Sequence, residues 1–94
     1  MMKKNKINIS AKKTLMTELR GIKTLAKTFN NNFNNAIKLI YNTKGKIIVT
    51  GIGKSAHIGS KIAATLSSTG TPAFFIHPTE ASHGDLGSIK KNDT

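Results

Sequence analysis

Residues 51–55, Gly-Ile-Gly-Lys-Ser, have the composition of a phosphate-binding turn. Gly51 and Gly53 allow a ligand to approach the backbone closely, and the amide groups at the start of a following helix favour an anion. Lys54 adds an ammonium group and Ser55 a hydroxyl donor. A cation in the first turn of a helix opposes the helix dipole at a cost of about 0.3–1 kcal/mol, and a bound phosphate would reverse that sign. The alternative is that Lys54 points into solvent, as most surface lysines do.

The spacing of this turn excludes one common phosphate motif and disfavours another. A Walker A loop needs a glycine five residues before the Gly-Lys-Ser unit, where this chain has Ile48. A dinucleotide motif fits residues 51–56 as Gly-x-Gly-x-x-Ala, but it needs a carboxylate about 20 residues further on, and residues 71–77 contain none. The turn therefore favours a phosphate monoester over a nucleotide.

A second group of chemically capable side chains lies further along the chain: His77, Glu80, His83 and Asp85. The histidines could bind Zn²⁺ together with a carboxylate, or they could hydrogen-bond a polyol and transfer protons on it. They could also be ordinary polar residues of a surface loop. His57 lies at the start of a predicted helix, and we expect it to pack or to face solvent.

A strand–helix–strand unit is predicted to position both groups. Residues 47–49 form a continuous apolar run, which is typical of a strand covered on both faces, and residues 73–76 form another. Between them, the residues after the glycines follow a helical pattern, so the unit is a βαβ crossover. Ligands of parallel sheets bind at the carboxyl ends of the strands, so the glycine turn and the histidines should share one rim. Residues 77–87 are predicted to form a polar loop.

Two amphipathic helices are predicted before the sheet. The first begins at Ser10, whose side chain can cap it, and its apolar stripe is Leu15, Met16, Leu19, Ile22, Leu25, Ala26 and Phe29. Residues 30–32, all Asn, predict a tight connection. The second stripe ends near Lys44, with Gly45 as the glycine that closes the helix. We expect both stripes to face a core or an oligomer interface, and residues 1–9 to be a disordered basic segment.

The charge of the chain is strongly positive, with 15 Lys and Arg against 4 Asp and Glu and a formal net charge of +11. Such a balance is found in proteins that bind nucleic acids or anionic membranes, but also in lysine-rich proteins without either partner. Here the cations are scattered and do not alternate with aromatic residues, so we expect no nucleic-acid or membrane partner. An anionic small molecule fits the charge equally well. The chain has no Cys and no long apolar run, which favours the cytoplasm.

Three stretches, taken in order, resemble one family. They are residues 51–59 (Gly-Ile-Gly-Lys-Ser-Ala-His-Ile-Gly), 68–72 (Ser-Thr-Gly-Thr-Pro) and 75–87 (Phe-Ile-His-Pro, then Glu-Ala-Ser-His-Gly-Asp-Leu-Gly after Thr79). They resemble the N-terminal part of the D-arabinose 5-phosphate isomerases, which belong to the sugar isomerase (SIS) domain family. The resemblance implies an α/β fold, a flavodoxin-like, Rossmann-type parallel three-layer sandwich. Residues 10–94 would hold its first part, two helices followed by the βαβ unit.

The resemblance also implies a function. Members interconvert D-ribulose 5-phosphate and D-arabinose 5-phosphate through an enediol, and the product feeds synthesis of the Kdo sugar of lipopolysaccharide. It implies a catalytic role for Lys54, a zinc ion at His77 that inhibits rather than catalyses, and no required cofactor. Together with the glycine turn, the expected substrate contacts are Gly51, Gly53, Ser55, Gly70, Thr71 and His83. It further implies a homotetramer.

The resemblance covers only part of the family's catalytic unit. In the family, the SIS domain continues with another strand, a Ser-rich phosphate loop carrying a glutamate, and later catalytic residues, and a pair of CBS domains often follows. We therefore expect the chain alone to be a marginally stable fragment without isomerase activity. Two other functions remain open: a non-catalytic SIS module that binds or senses a sugar phosphate, and a basic nucleic-acid binder whose affinity would fall with salt.

Overall fold

The computed structural model describes residues 3–94 and shows an α/β chain. By its internal contacts the chain divides into two units, one up to residue 35 and one from residue 36 onward. The helices are α1 (Lys4–Ala26), α2 (Asn31–Tyr41), α3 (Lys54–Ser68) and α4 (Pro78–Ser82), and the strands are β1 (Ile47–Val49) and β2 (Ala73–Phe75). No helix within the described residues combines the length and the hydropathy needed to cross a membrane.

Helix α1 begins earlier than the sequence indicated. It starts at Lys4 rather than Ser10, so the expected disorder of residues 1–9 is wrong for residues 4–9, while residues 1 and 2 lie outside the described part. Lys3 occupies the N-cap position without a side-chain hydrogen bond. The helix extends because Ile7 continues the apolar stripe at helical spacing, and lysine is a good helix former.

The connection after α1 ends at Asn30, so the predicted break is present, but Asn31 and Asn32 already belong to α2. The side-chain Oδ1 of Asn30 accepts hydrogen bonds from the backbone N–H groups of Asn32, at 3.0 Å, and Phe33, at 3.2 Å. Asn30 is therefore the N-cap of α2. The rings of Phe29 and Phe33 stack across this connection with their centroids 4.5 Å apart.

Gly45 has a different role from the one predicted. Helix α2 ends at Tyr41, and Gly45 does not have the positive φ of a helix-closing glycine. A side chain at Gly45 would instead collide with the Asp93 carboxylate and lie 2.7 Å from the Asn92 carbonyl oxygen. Glycine is required here because the end of the described chain passes against it.

The second unit contains the predicted βαβ crossover. Strands β1 and β2 are parallel, with Ile48 paired to Phe74, and α3 connects them. Helix α3 packs closely on one face of the sheet, because a Cβ at the buried Gly59 would lie 3.1 Å from the Val49 side chain and 3.2 Å from the Phe75 ring. The buried hydrophobic side chains of the described residues are Ile47, Ala63 and Ile76.

The other edge of β1 is occupied by the end of the described chain. Thr94 donates its N–H to the Lys46 carbonyl at 3.1 Å and accepts the Ile48 N–H at 2.7 Å, which is parallel pairing. Asp93 secures this segment, because its carboxylate accepts the backbone N–H groups of Lys46 (2.8 Å) and Lys90 (2.7 Å) and pairs with the Lys46 Nζ (2.9 Å). These groups, in that order of importance, lower the pKa of Asp93 from 3.8 to about 2.

Residues 77–87 are more regular than the polar loop that the sequence predicted. They contain α4 and most of a 3-10 turn at Asp85–Ser88. Pro78 at the first helical position favours a helix start, because its fixed φ is helical and its missing N–H is not needed there. Three apolar side chains of this segment line a cavity of about 350 Å³ together with Ile48, Ile76 and Ile89; they are Pro78, Ala81 and Leu86.

Candidate functional site

The glycine turn and His77 meet at the carboxyl-terminal rim of the sheet, as the sequence predicted. Val49, the last residue of β1, pairs with Phe75, the last residue of β2. One residue further on, the Ile76 N–H donates to the Val49 carbonyl at 2.9 Å, which keeps the two chains side by side as they leave the sheet. The turn at residues 50–53 and His77 therefore emerge next to each other.

The glycine turn leads into α3 with an unusual backbone conformation at Gly53. Gly53 is the N-cap of α3 with φ 61° and ψ −136°, a region that residues with a side chain rarely adopt. No atom lies within 4 Å of the position that a Cβ would take, so the backbone conformation, and not crowding, requires glycine. Gly51, in contrast, has ordinary φ, and its nearest neighbours lie at 3.5 Å.

The start of α3 can hold an anion. Lys54 and Ser55 are its first two residues, and both are exposed at the rim. The first N–H groups of a helix have no partner within the helix, and the dipole places partial positive charge there. Lys54 adds a full positive charge at the same end, and the first turn of α3 contains no acidic residue. The ammonium group of Lys54 and the hydroxyl of Ser55 thus lie at the same end of α3 as its first amides, of which the Ala56 N–H donates to the Gly53 carbonyl at 3.1 Å.

The imidazole of His77 is held in place by a hydrogen bond to the first turn of α4. Its Nδ1 accepts a hydrogen bond from the Thr79 N–H at 3.1 Å, so the imidazole is the N-cap of α4. The ring is half-buried and meets the Phe75 ring edge-on, with the centroids 6.5 Å apart. Because one nitrogen of a neutral imidazole accepts while the other carries the proton, this bond places the proton on Nε2.

His83 lies at the opposite end of α4 from His77. It is the C-cap residue, and its N–H donates to the carbonyls of Glu80 and Thr79. The side chain is exposed, as is that of His57 in α3, which agrees with the expectation that His57 packs or faces solvent. Within residues 3–94, no three His, Cys, Asp or Glu side chains come together as a metal site.

Gly70 and Thr71 lie away from this rim. They precede β2, and in a parallel pair that puts them at the amino-terminal edge, opposite the glycine turn. Gly70 has φ 101°, its N–H donates to the Ser67 carbonyl, and the Thr71 N–H donates to the Leu66 carbonyl at 2.8 Å. This is the Schellman pattern that closes a helix, so the structure explains Gly70 by the end of α3. It does not bring the two residues together with the other predicted contacts.

Ser67 has a positioning role that was not predicted. Its Oγ donates to the Ala73 carbonyl at 2.6 Å and accepts the Ala73 N–H at 3.2 Å, which joins the last turn of α3 to the first residue of β2. Near the end of a helix, a serine is common enough that no sequence signal distinguishes this one. The contact fixes how β2 enters the sheet, and so where His77 leaves it.

Comparison with known proteins gives consistent matches. The model of the SIS domain matches residues 39–94. Over 84 residues, 89% of this chain, the sequence is 55% identical to arabinose 5-phosphate isomerase GutQ of Salmonella typhi and 52% identical to arabinose 5-phosphate isomerase KdsD of Yersinia pestis. The chain spans about a quarter of the length of these relatives, 26% in both cases.

A solved structure has the same fold. It is the c3406 protein of Escherichia coli CFT073 in complex with arabinose 5-phosphate, with a TM-score of 0.91 and 40% sequence identity. The superposition covers 99% of this chain and 50% of that one. The match includes both the helices before the sheet and the rim with the glycine turn.

Proposed function

The chain belongs to the SIS domain family, and we propose that it acts in the interconversion of D-ribulose 5-phosphate and D-arabinose 5-phosphate. The observation that carries the proposal is the shared rim, where the glycine turn at the start of α3 emerges beside the capped His77. The arabinose 5-phosphate isomerases among its relatives and a structural neighbour in complex with arabinose 5-phosphate support this choice of substrate.

The rim residues and His83 each have a role in this proposal. The amides of the first turn of α3, with the Ser55 hydroxyl, bind the phosphate, and the open space at Gly53 admits it. Lys54 stabilises the negative charge that develops on the enediol oxygens when a proton moves between C1 and C2. His77 and His83 donate hydrogen bonds to sugar hydroxyls. The reaction moves hydrogen between adjacent carbons of one molecule, so we propose that it needs no cofactor.

We also propose that these residues bind the sugar phosphate without turning it over when they are alone. The support is the share of the relatives that they span, about a quarter. The Ser-rich loop with its glutamate and the later catalytic residues that the resemblance implies are not among them. A homotetramer, a cytoplasmic location and a role in Kdo synthesis belong to the same proposal.

Binding can be tested by titrating the purified chain with D-arabinose 5-phosphate and following backbone amide shifts by NMR. We expect the amides of residues 53–56 to move, and D-arabinose without phosphate to leave them unchanged. Lys54→Ala should weaken binding about tenfold or more, as expected for a charge-assisted contact. Lys61→Ala is the matched control, because Lys61 is exposed on the same helix but outside its first turn. Shifts that are equal for the two sugars would contradict the phosphate site.

Turnover is tested separately with D-ribulose 5-phosphate as substrate. The purified chain should bind but not convert it, and conversion near the rate of an intact relative would contradict the second proposal. The first proposal, that the chain acts in the isomerase reaction, is tested by joining these residues to the remaining part of the Salmonella typhi isomerase. An isomerase function is supported if the folded chimera is active and its Lys54→Ala variant is folded but inactive. A folded chimera that binds without turnover supports the non-catalytic sugar-phosphate module instead.

A further inference from the structure

The two nitrogens of His77 are not equivalent in this structure. Nδ1 accepts the Thr79 N–H at 3.1 Å and is thereby occupied as the cap of α4. Nε2 then carries the proton of the neutral ring and can only donate. A histidine that binds a metal must instead offer an unprotonated nitrogen with a free lone pair.

Neither nitrogen meets that requirement while the cap is present. A metal on Nδ1 would replace the Thr79 N–H directly. A metal on Nε2 would move the proton to Nδ1, which would turn Nδ1 from an acceptor into a donor that faces another donor. Both routes remove the same hydrogen bond, whichever other ligands the metal has.

We infer that His77 is a helix cap and an Nε2–H donor toward the rim, and that a metal ion binds its ring only by breaking the cap of α4. The described residues fit this role better than a zinc site, because they contain no cluster of three metal-binding side chains. By this inference, the zinc ion implied by the family resemblance would bind His77 only at the expense of the cap. The inference does not depend on isomerase activity, because it concerns only the ring and the Thr79 amide.

The cap matters for more than His77 itself. Helix α4 has only five residues, and it carries Pro78 and Ala81 into the apolar cavity beside the sheet while placing His83 at its far end. Short helices are marginal without tertiary support and capping. A metal on His77 would therefore loosen the segment that positions the second histidine.

The tautomer of His77 tests the inference directly. In the ¹⁵N-labelled chain, long-range ¹H–¹⁵N spectra distinguish a protonated ring nitrogen from an unprotonated one. We expect the His77 proton on Nε2 and the Thr79 amide to exchange slowly with solvent. The Ile76 amide, which donates to the Val49 carbonyl, reports in the same spectra that the sheet is folded. A folded chain with the proton on Nδ1 would overturn the inference.

Substitutions separate capping from metal binding. His77→Asn retains a capping oxygen, so the Thr79 amide should stay protected. His77→Phe keeps a ring but has no acceptor, so hydrogen exchange of the Thr79 amide should be about fivefold faster, which corresponds to the loss of one ordinary cap. His83→Asn is the control and should leave the Thr79 amide unchanged. Equal exchange in His77→Phe and in the unmodified chain would contradict the capping role.

Zinc titration completes the test. If zinc shifts the His77 ring resonances, we expect the Thr79 amide to lose protection in parallel, and His77→Asn to abolish both changes. If zinc leaves the His77 ring unchanged at concentrations that saturate free imidazole, the cap excludes the metal and the inference also stands. Zinc bound to the His77 ring with the Thr79 amide still protected would overturn it.

Discussion

Replacing Gly53 by alanine tests whether the glycine turn is set by backbone conformation. At φ 61° and ψ −136° a Cβ clashes with its own backbone, at a cost of roughly 1–3 kcal/mol. Alanine also restricts the unfolded chain, which returns about 0.4–1 kcal/mol. No neighbouring atom lies within 4 Å of the new methyl group, so no packing cost is added. The net loss of folding free energy should be about 1–2 kcal/mol.

Thermal unfolding followed by far-UV circular dichroism measures this loss. For a chain of this size, each kcal/mol corresponds to about 4–8 °C in Tm, so Gly53→Ala should lower Tm by roughly 5–15 °C. Gly87→Ala is the matched control, because its methyl group also enters open space and its φ is not positive. The control should change stability by less than about 0.5 kcal/mol.

The Gly53→Ala variant also separates the contribution of the backbone conformation to phosphate binding from that of the Lys54 charge. Gly53→Ala should weaken binding of D-arabinose 5-phosphate, because the first amides of α3 are displaced while Lys54 is retained. Equal Tm values for Gly53→Ala and Gly87→Ala would refute the conformational argument. An unchanged affinity in a folded Gly53→Ala chain would show that the turn does not position the phosphate.

Three further predictions concern contacts outside the rim. The pKa of Asp93 is about 2 in the folded chain and 3.8 ordinarily, so its charged carboxylate stabilises the fold fully above pH 3.8, and this contribution is lost as the pH falls toward 2. In urea unfolding, the midpoint of the unmodified chain should fall over this pH range, and the midpoint of Asp93→Asn should lack this decline. Ser67→Ala removes both hydrogen bonds to Ala73 and should cost about 1–2 kcal/mol in urea unfolding, whereas Ser60→Ala, on the same helix, should cost less than about 0.5 kcal/mol. Gly45→Ala forces the Asp93 segment away from β1 and should speed hydrogen exchange of the Ile48 amide, which donates to Thr94, while the Ile76 amide stays protected; protection retained at Ile48 would contradict the close approach.

Local patterns predicted the sheet and most of the rim. The apolar run at residues 47–49, the two glycines and the helical spacing after them specify a βαβ unit, and the structure contains it. A parallel pair necessarily brings the carboxyl ends of its strands together, so the neighbourhood of the glycine turn and His77 followed from the order of elements. A connection at the asparagines was also predicted, because they interrupt two apolar stripes, whereas the capping by Asn30 is visible only in the structure.

Contacts between distant residues could not be predicted in the same way. Gly45 resembles a helix-closing glycine, and only the passage of Asp93 beside it reveals the actual reason for glycine. The His77 cap escaped notice because histidine is not among the usual capping residues. The family resemblance implies that Gly70 and Thr71 contact the substrate, but the direction of β2 places them at the other edge of the sheet from the glycine turn.

The contact between Lys46 and Asp93 joins residues 47 positions apart, which has a consequence for the order of folding. Helix α3 forms from neighbouring residues and brings β1 and β2 together over a shorter loop, whereas the Asp93 segment must close the longest one. Its interactions should therefore be absent from the transition state and appear only afterwards. Contacts that form after the transition state slow unfolding of the sheet and hardly affect its folding rate, so the contact between Lys46 and Asp93 should slow the unfolding of an already assembled βαβ unit.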